Sequence, residues 1–162
     1  MSSRGELTNW DINAYYKTQP LYGGTLSKDE LRFAPHGKFY VVNMEDSSGP
    51  GSHWVLVFDC LPSVCFYFDS YGISPPPQIR AFMRRSGRKQ LIYSNAQYQM
   101  LNTSTCGEFC LYVANQLLNG ATVEQAIQGN LHPSGGSGHD PISQLSLRAN
   151  EKIMNQFIPS II

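Results

Sequence analysis

The chain has 162 residues, 41% apolar and 15% charged, with 12 basic and 12 acidic side chains and a formal net charge of zero. That length and balance predict a single globular domain over residues 1–162, and they exclude a disordered chain and nucleic-acid binding by the whole surface. Four cysteines do not force a disulfide framework at this size, and no signal-type or membrane-spanning apolar run is visible. Reduced thiols, an intracellular setting and no membrane association are therefore expected.

In chain order, Thr8 to Tyr16 reads as a helix, and Ser27-x-x-Glu30 as the capping box of another short helix. Lys38 to Met44 alternates apolar and polar residues and predicts a strand. Glu45 to Ser52 is a Gly/Pro/Ser loop leading to His53. His53-Trp54-Val55-Leu56-Val57-Phe58 and Val64-Cys65-Phe66-Tyr67-Phe68 are apolar runs rich in β-formers. Between them, Asp59 to Ser63 contains Pro62 and reads as the turn of an antiparallel hairpin. If that turn centres near Leu61, His53 lies opposite Asp69. Directly opposed side chains have Cβ atoms roughly 4.5–5.5 Å apart, close enough for an imidazole to meet a carboxylate. Such a carboxylate fixes the ring tautomer and stabilises the imidazolium, leaving the other nitrogen for a nucleophile. Taken singly, either residue reads more simply as a strand entrance or a turn.

Pro75-Pro76-Pro77 ends the hairpin and starts a short helix, followed by a short strand from Leu91 to Ser94. Gln97 to Ser104 is a polar loop. Cys106, Phe109, Cys110, Val113, Ala114, Leu117 and Leu118 then repeat at the spacing of one apolar helix face, with Gly120 as its stop. Thr105 and Glu108 fit a capping box at its start, which puts Cys106 at the positive end of a helix dipole, where charge on sulfur is stabilised. The plain alternative is a buried cysteine continuing the core stripe. A side-chain amide from the preceding loop, paired with the backbone N–H of Cys106, would make a two-donor oxyanion hole.

Thr122-x-x-Gln125 caps a further helix ending near Gly129. Leu131 to His139 carries three glycines and a proline and is the longest irregular stretch. Asp140 caps a last helix, with Pro141 at its first position and its end before Pro159. His36, His132 and His139 read as surface residues, and pairing Cys60-x4-Cys65 with Cys106-x3-Cys110 makes no tetrahedral metal knuckle. The elements predict an α+β fold, a small central mixed or antiparallel sheet packed by helices, with Cys106 entering a cleft opposite the His53 strand.

The order His-Trp, Phe-Asp-Ser-Tyr-Gly, Gln and Cys-Gly-x-Phe-Cys resembles the adenovirus maturation protease, and more broadly the clan of SUMO- and NEDD8-removing cysteine proteases. The likeness runs from Gly23-Gly24 through Val42-Asn43 to the closing Leu147-x-x-Asn150 helix. It implies His53 as general base, Asp69 as its orienting acid and Cys106 as nucleophile, with Trp54 roofing a narrow, substrate-binding cleft. Gln99, seven residues before Cys106, becomes the oxyanion donor, with Gln97 as runner-up. Aspartate in place of the adenoviral glutamate, and a shorter chain, point to a distant relative from another DNA virus such as a virophage. The resemblance further implies processing of viral capsid or core precursors at Gly-containing sites, by a monomer inside the virion and infected cell. No cofactor or metal is required in that reading, while DNA or a viral peptide stimulates cleavage.

Arg80, Arg84, Arg85, Arg88 and Lys89 place five of the 12 basic residues within ten positions. They are either a solvated helix face or a footprint for DNA or another polyanion. Two further functions compete with precursor processing: an isopeptidase removing a ubiquitin-like modifier, and a non-catalytic interaction domain.

Overall fold

The computed structural model describes residues 6–45, 53–101, 103–134 and 141–157. The expected Glu45–Ser52 loop beyond Glu45, the 135–139 part of the Gly-rich stretch, His139 and the Asp140 cap lie outside the described residues.

Among the described residues, eleven segments of regular structure build one five-stranded sheet with helices on both faces. In chain order they are α1 (Asn9–Tyr15), β1 (Tyr22–Ser27), a 3₁₀ turn (Leu31–Phe33), β2 (Phe39–Asn43), β3 (Trp54–Phe58), β4 (Val64–Phe68), α2 (Pro77–Arg85), β5 (Gln90–Tyr93), α3 (Cys106–Leu118), α4 (Val123–Gln128) and α5 (Pro141–Phe157). Strands lie side by side in sequence order: β2–β3 and β3–β4 are antiparallel, whereas β1–β2 and β4–β5 are parallel. The mixed α+β architecture expected from the sequence is therefore the one observed.

The central strands are apolar at every position because both faces are covered. Trp54, Leu56, Phe58, Phe66 and Phe68 pack with Phe109, Cys110 and Val113 of α3 and with Ile12 of α1. On the other face Val55, Val57, Cys65 and Tyr67 meet Ile79, Phe82 and Met83 of α2. Thr122 forms the expected capping box with Gln125, and Thr8, outside rather than inside α1, forms another with Asp11.

Three readings are corrected. Ser27 does bond to Glu30, yet it ends β1, and the chain continues through a turn into the 3₁₀ segment rather than a helix. Strand β1 itself was not expected, because Gly23-Gly24 is poor β sequence and its pairing comes entirely from β2. The β3–β4 hairpin pairs Val57 with Tyr67, not Cys65, a register two residues from the one that sets His53 opposite Asp69. A two-residue slip preserves the face each side chain presents, so both residues still meet at the sheet end.

Candidate active site

The first turn of α3 presents Cys106 beneath the start of β3. The backbone N–H of Trp54 donates to Cys106 Sγ at 3.4 Å. His53, one residue earlier, is tied to the sheet by its carbonyl, which accepts from Met44 N at 2.9 Å. Its Nε2 lies 2.7 Å from Asp69 Oδ1, leaving Nδ1 as the other ring nitrogen.

Asp69 is fully buried and follows directly on β4. Its Oδ1 also accepts the backbone N–H of Tyr71 at 2.9 Å. The turn closes through Gly72 N to Asp69 O at 2.9 Å, with Gly72 at φ +79°. Any Cβ there would stand 2.6 Å from the carbonyl oxygen of Ala96, so this turn requires glycine. The Tyr71 ring stacks on His53, centroids 4.8 Å apart. Burial, joined by the nearby charges of Cys106 and Asp69, pushes the Tyr71 phenol up to about 12.

Burial opposes a charge on His53. Hydrogen bonds to Asp69 and Cys106, and the negative charge of both partners, outweigh it and raise the imidazole to about 9. Burial pushes Cys60 and Cys65 up to about 12 and Cys110 well above the ordinary value, which removes them from thiolate chemistry at neutral pH.

Trp54 is only 9% exposed, and its indole N–H donates to Leu7 O at 2.9 Å. The ring is thus held beneath the residues before α1, and little of it is left for substrate. Gly107 makes this cover fit: a Cβ would meet Leu7 Cβ at 3.1 Å and Trp54 Cδ1 at 3.4 Å.

Thr105 does not cap α3 as the sequence implied; its side chain makes no bond to the first turn, because its hydroxyl is turned to Glu151. Gln99 is fully buried. Its amide nitrogen donates to Thr103 O and Oγ1, both at 3.1 Å, and its amide oxygen accepts from Ser70 Oγ at 2.6 Å. Gln97 instead donates to Gln99 O at 2.9 Å from a half-buried position. Both glutamines are thus anchored in the loop before Cys106.

The basic segment divides. Arg84, Arg85 and Lys89 are exposed, while Arg80 lies over the Tyr93 ring and reaches Pro75 O. Arg88 is bound to the fully buried Asp59, through Nε to Oδ1 at 3.2 Å and through an N–H to the backbone oxygen at 2.7 Å. His36, read as a surface residue, is also engaged, with Nδ1 3.0 Å from Asp59 Oδ2 and its ring stacked on Phe82.

A cysteine at a buried helix start with a hydrogen-bonded His–Asp pair beside it, on a mixed sheet between helices, has the groups that thiol-based hydrolysis uses. The chain is 33% identical over 84 residues to a cysteine protease of African swine fever virus from a tick isolate of Malawi, an alignment spanning 44% of this chain and 30% of that protein. It is 28% identical over 103 residues to a protein named SUMO-1 cysteine protease from a warthog isolate of the same virus, spanning 56% and 37%. The chain therefore covers about a third of the length of these curated relatives. The crystal structure of the African swine fever virus protease superposes with a TM-score of 0.59 at 18% identity, covering 90% of this chain and 67% of that one, a likeness of fold. No protein-family model matches. These homologues support a viral cysteine protease, and they come from African swine fever virus rather than from an adenovirus or a virophage.

Proposed function

We propose that this domain is a cysteine endopeptidase that cleaves viral capsid or core precursors. The observation that carries the reading is the continuous contact from Asp69 Oδ1 to His53 Nε2 at 2.7 Å, with Cys106 Sγ beside the same strand start. His53 and Cys106 act as an imidazolium–thiolate pair. The sulfur attacks the scissile carbonyl, and the oxyanion is received by the Cys106 N–H and by Gln99, whose amide nitrogen gives up one of its two bonds to Thr103 to reach it. His53 gives its proton to the leaving amine, then takes one from water as the thioester is hydrolysed. Asp69 keeps the ring in one orientation and stabilises its charge throughout.

Specificity rests on the crowding beside Cys106: Leu7 and the anchored Trp54 pack over the start of α3, and a narrow approach of that kind favours glycine beside the scissile bond. The relatives named SUMO-1 cysteine proteases favour a second reading, an isopeptidase on a ubiquitin-like modifier. The same three residues serve either reaction.

Wild-type and Cys106→Ala protein, each mixed with virion precursor proteins and with SUMO conjugates, separate these readings by sequencing of the new termini. Cleavage of precursors after glycine by the wild type alone is expected. Cleavage of conjugates alone selects the isopeptidase. Activity of Cys106→Ala within about tenfold of wild type removes Cys106 as nucleophile, since losing a nucleophile costs several orders of magnitude.

A further inference from the structure

The His53 imidazole is bonded along its edge and covered on one face. Its Nε2 meets Asp69 Oδ1 at 2.7 Å, and the ring is also hydrogen-bonded to Cys106. Tyr71 lies along the face, with ring centroids 4.8 Å apart and planes inclined by 21°. The local sequence puts it there. Tyr71 stands two residues beyond Asp69, whose Oδ1 accepts its backbone N–H at 2.9 Å, and Gly72 closes the turn at φ +79°.

A cover of this kind acts on charge. Burial is the largest influence on His53, and it opposes the imidazolium. An aliphatic side chain over the ring would only remove water from it. An aromatic face carries the negative part of the ring quadrupole and attracts a cation within about 6 Å of its centroid. A neutral imidazole gains no such attraction, so the stack discriminates between the two protonation states of one ring. Burial, with nearby negative charge, pushes the Tyr71 phenol up to about 12, so His53 meets a neutral ring at working pH.

The other ionisable groups that act on this pair of rings are Asp69 after β4, Cys106 on α3, Glu151 on α5 and Glu6 ahead of α1. A change confined to the Tyr71 side chain leaves all four in the protein, and its bond to Asp69 is made by the backbone.

We propose that Tyr71 is a positioning residue for the reaction at Cys106, whose ring face holds the proton on His53 and so extends the imidazolium–thiolate pair to more alkaline pH. The inference deepens the cysteine-protease reading and rests on His53 and Cys106 reacting as that pair.

Three replacements separate ring face, hydroxyl and bulk. Tyr71→Phe keeps the face and loses the hydroxyl. Tyr71→Leu keeps an apolar cover without a quadrupole. Pentafluorophenylalanine in place of Tyr71, introduced by stop-codon suppression, keeps a flat ring and inverts the polarity of its face. Each protein is read for the His53 titration by NMR, assigned against His53→Gln, and for its melting temperature. The pH profiles of kcat and kcat/KM are measured on a Gly-Gly-aminomethylcoumarin peptide.

In the wild type the His53 titration and the alkaline limb of kcat/KM should both fall near 9, and Tyr71→Phe should match them. Tyr71→Leu and the fluorinated ring should move both down by about half a unit to one unit. On the neutral plateau kcat should stay within about threefold of wild type, because His53 remains charged there in every variant. An unmoved His53 titration in either Tyr71→Leu or the fluorinated variant overturns the proposal, whatever happens to turnover or melting temperature. An equal shift in Tyr71→Phe also overturns it, by assigning the effect to the hydroxyl. If Tyr71→Leu fails to fold, the comparison of Tyr71→Phe with the fluorinated ring decides. No turnover by the wild type, or turnover by Cys106→Ala, overturns the underlying functional reading instead, and the NMR titration still reports on the ring face.

Discussion

Asp69 Oδ1 accepts from His53 Nε2 at 2.7 Å and from the backbone N–H of Tyr71 at 2.9 Å, so one oxygen fixes both the imidazole edge and the turn that stacks Tyr71 on it. Side-chain orientation and loop conformation are thereby coupled. Moving the carboxylate disturbs both.

Asp69→Asn should lower kcat strongly with a smaller effect on KM, because the imidazolium loses its stabilising charge. The ring itself should report this. By NMR, His53 should titrate near 9 in the wild type and move down toward 6.5 in Asp69→Asn. The sign for stability follows: a folded pKa raised above 6.5 contributes stability that is fully present below 6.5 and is lost as pH rises through 9. Denaturant midpoints of the wild type should therefore decline across that window, and the decline should be shallower in Asp69→Asn. An unmoved His53 titration in the variant places the stabilising charge elsewhere.

Gln99→Ala and Gln97→Ala form a pair. Loss of one oxyanion donor lowers turnover by about 10²–10³. Gln99→Ala should show that loss on a short peptide with little change in KM, and Gln97→Ala a small one. The reverse ranking in steady-state kinetics would assign the donor to Gln97.

Arg84, Arg85 and Lys89 are the exposed part of the basic segment and are proposed to receive DNA or another polyanion that stimulates cleavage. Stimulation should fall steeply with salt through counterion release. Arg84→Glu with Arg85→Glu should remove it and leave basal peptide cleavage intact. Stimulation that survives the reversal, or full activity without polyanion, makes these residues a solvated helix face.

Arg88 belongs to the fold rather than to that patch. Arg88→Ala leaves the buried Asp59 carboxylate without its guanidinium, with His36, the Gly37 N–H and the Cys65 thiol remaining beside it. A partly uncompensated buried carboxylate costs about 2–3 kcal/mol, lowered from the full value of a broken buried pair by those remaining donors. Urea denaturation should show this loss, and an unchanged midpoint would mean that solvent replaces the guanidinium without cost.

Local elements and the positions of the proposed catalytic groups are legible in the residue pattern alone. Continuous apolar runs rich in β-formers located β3 and β4, and apolar residues at helical spacing located α3, since both faces of the central strands and nearly the whole of α3 are buried. Motif order marked His53, Asp69 and Cys106, which the fold brings together. What depends on distant segments was decided only by tertiary structure. Strand β1 exists because β2 supplies its bonds, and Arg88 leaves the basic patch because the buried Asp59 claims it. Thr105 forsakes its helix because Glu151, 46 positions later, offers a charged acceptor. The Thr105 oxygen takes one rotamer, toward Glu151, and so lies away from the first-turn N–H groups from which a capping oxygen accepts, and the spacing of Thr105 and Glu108 carries no trace of Glu151.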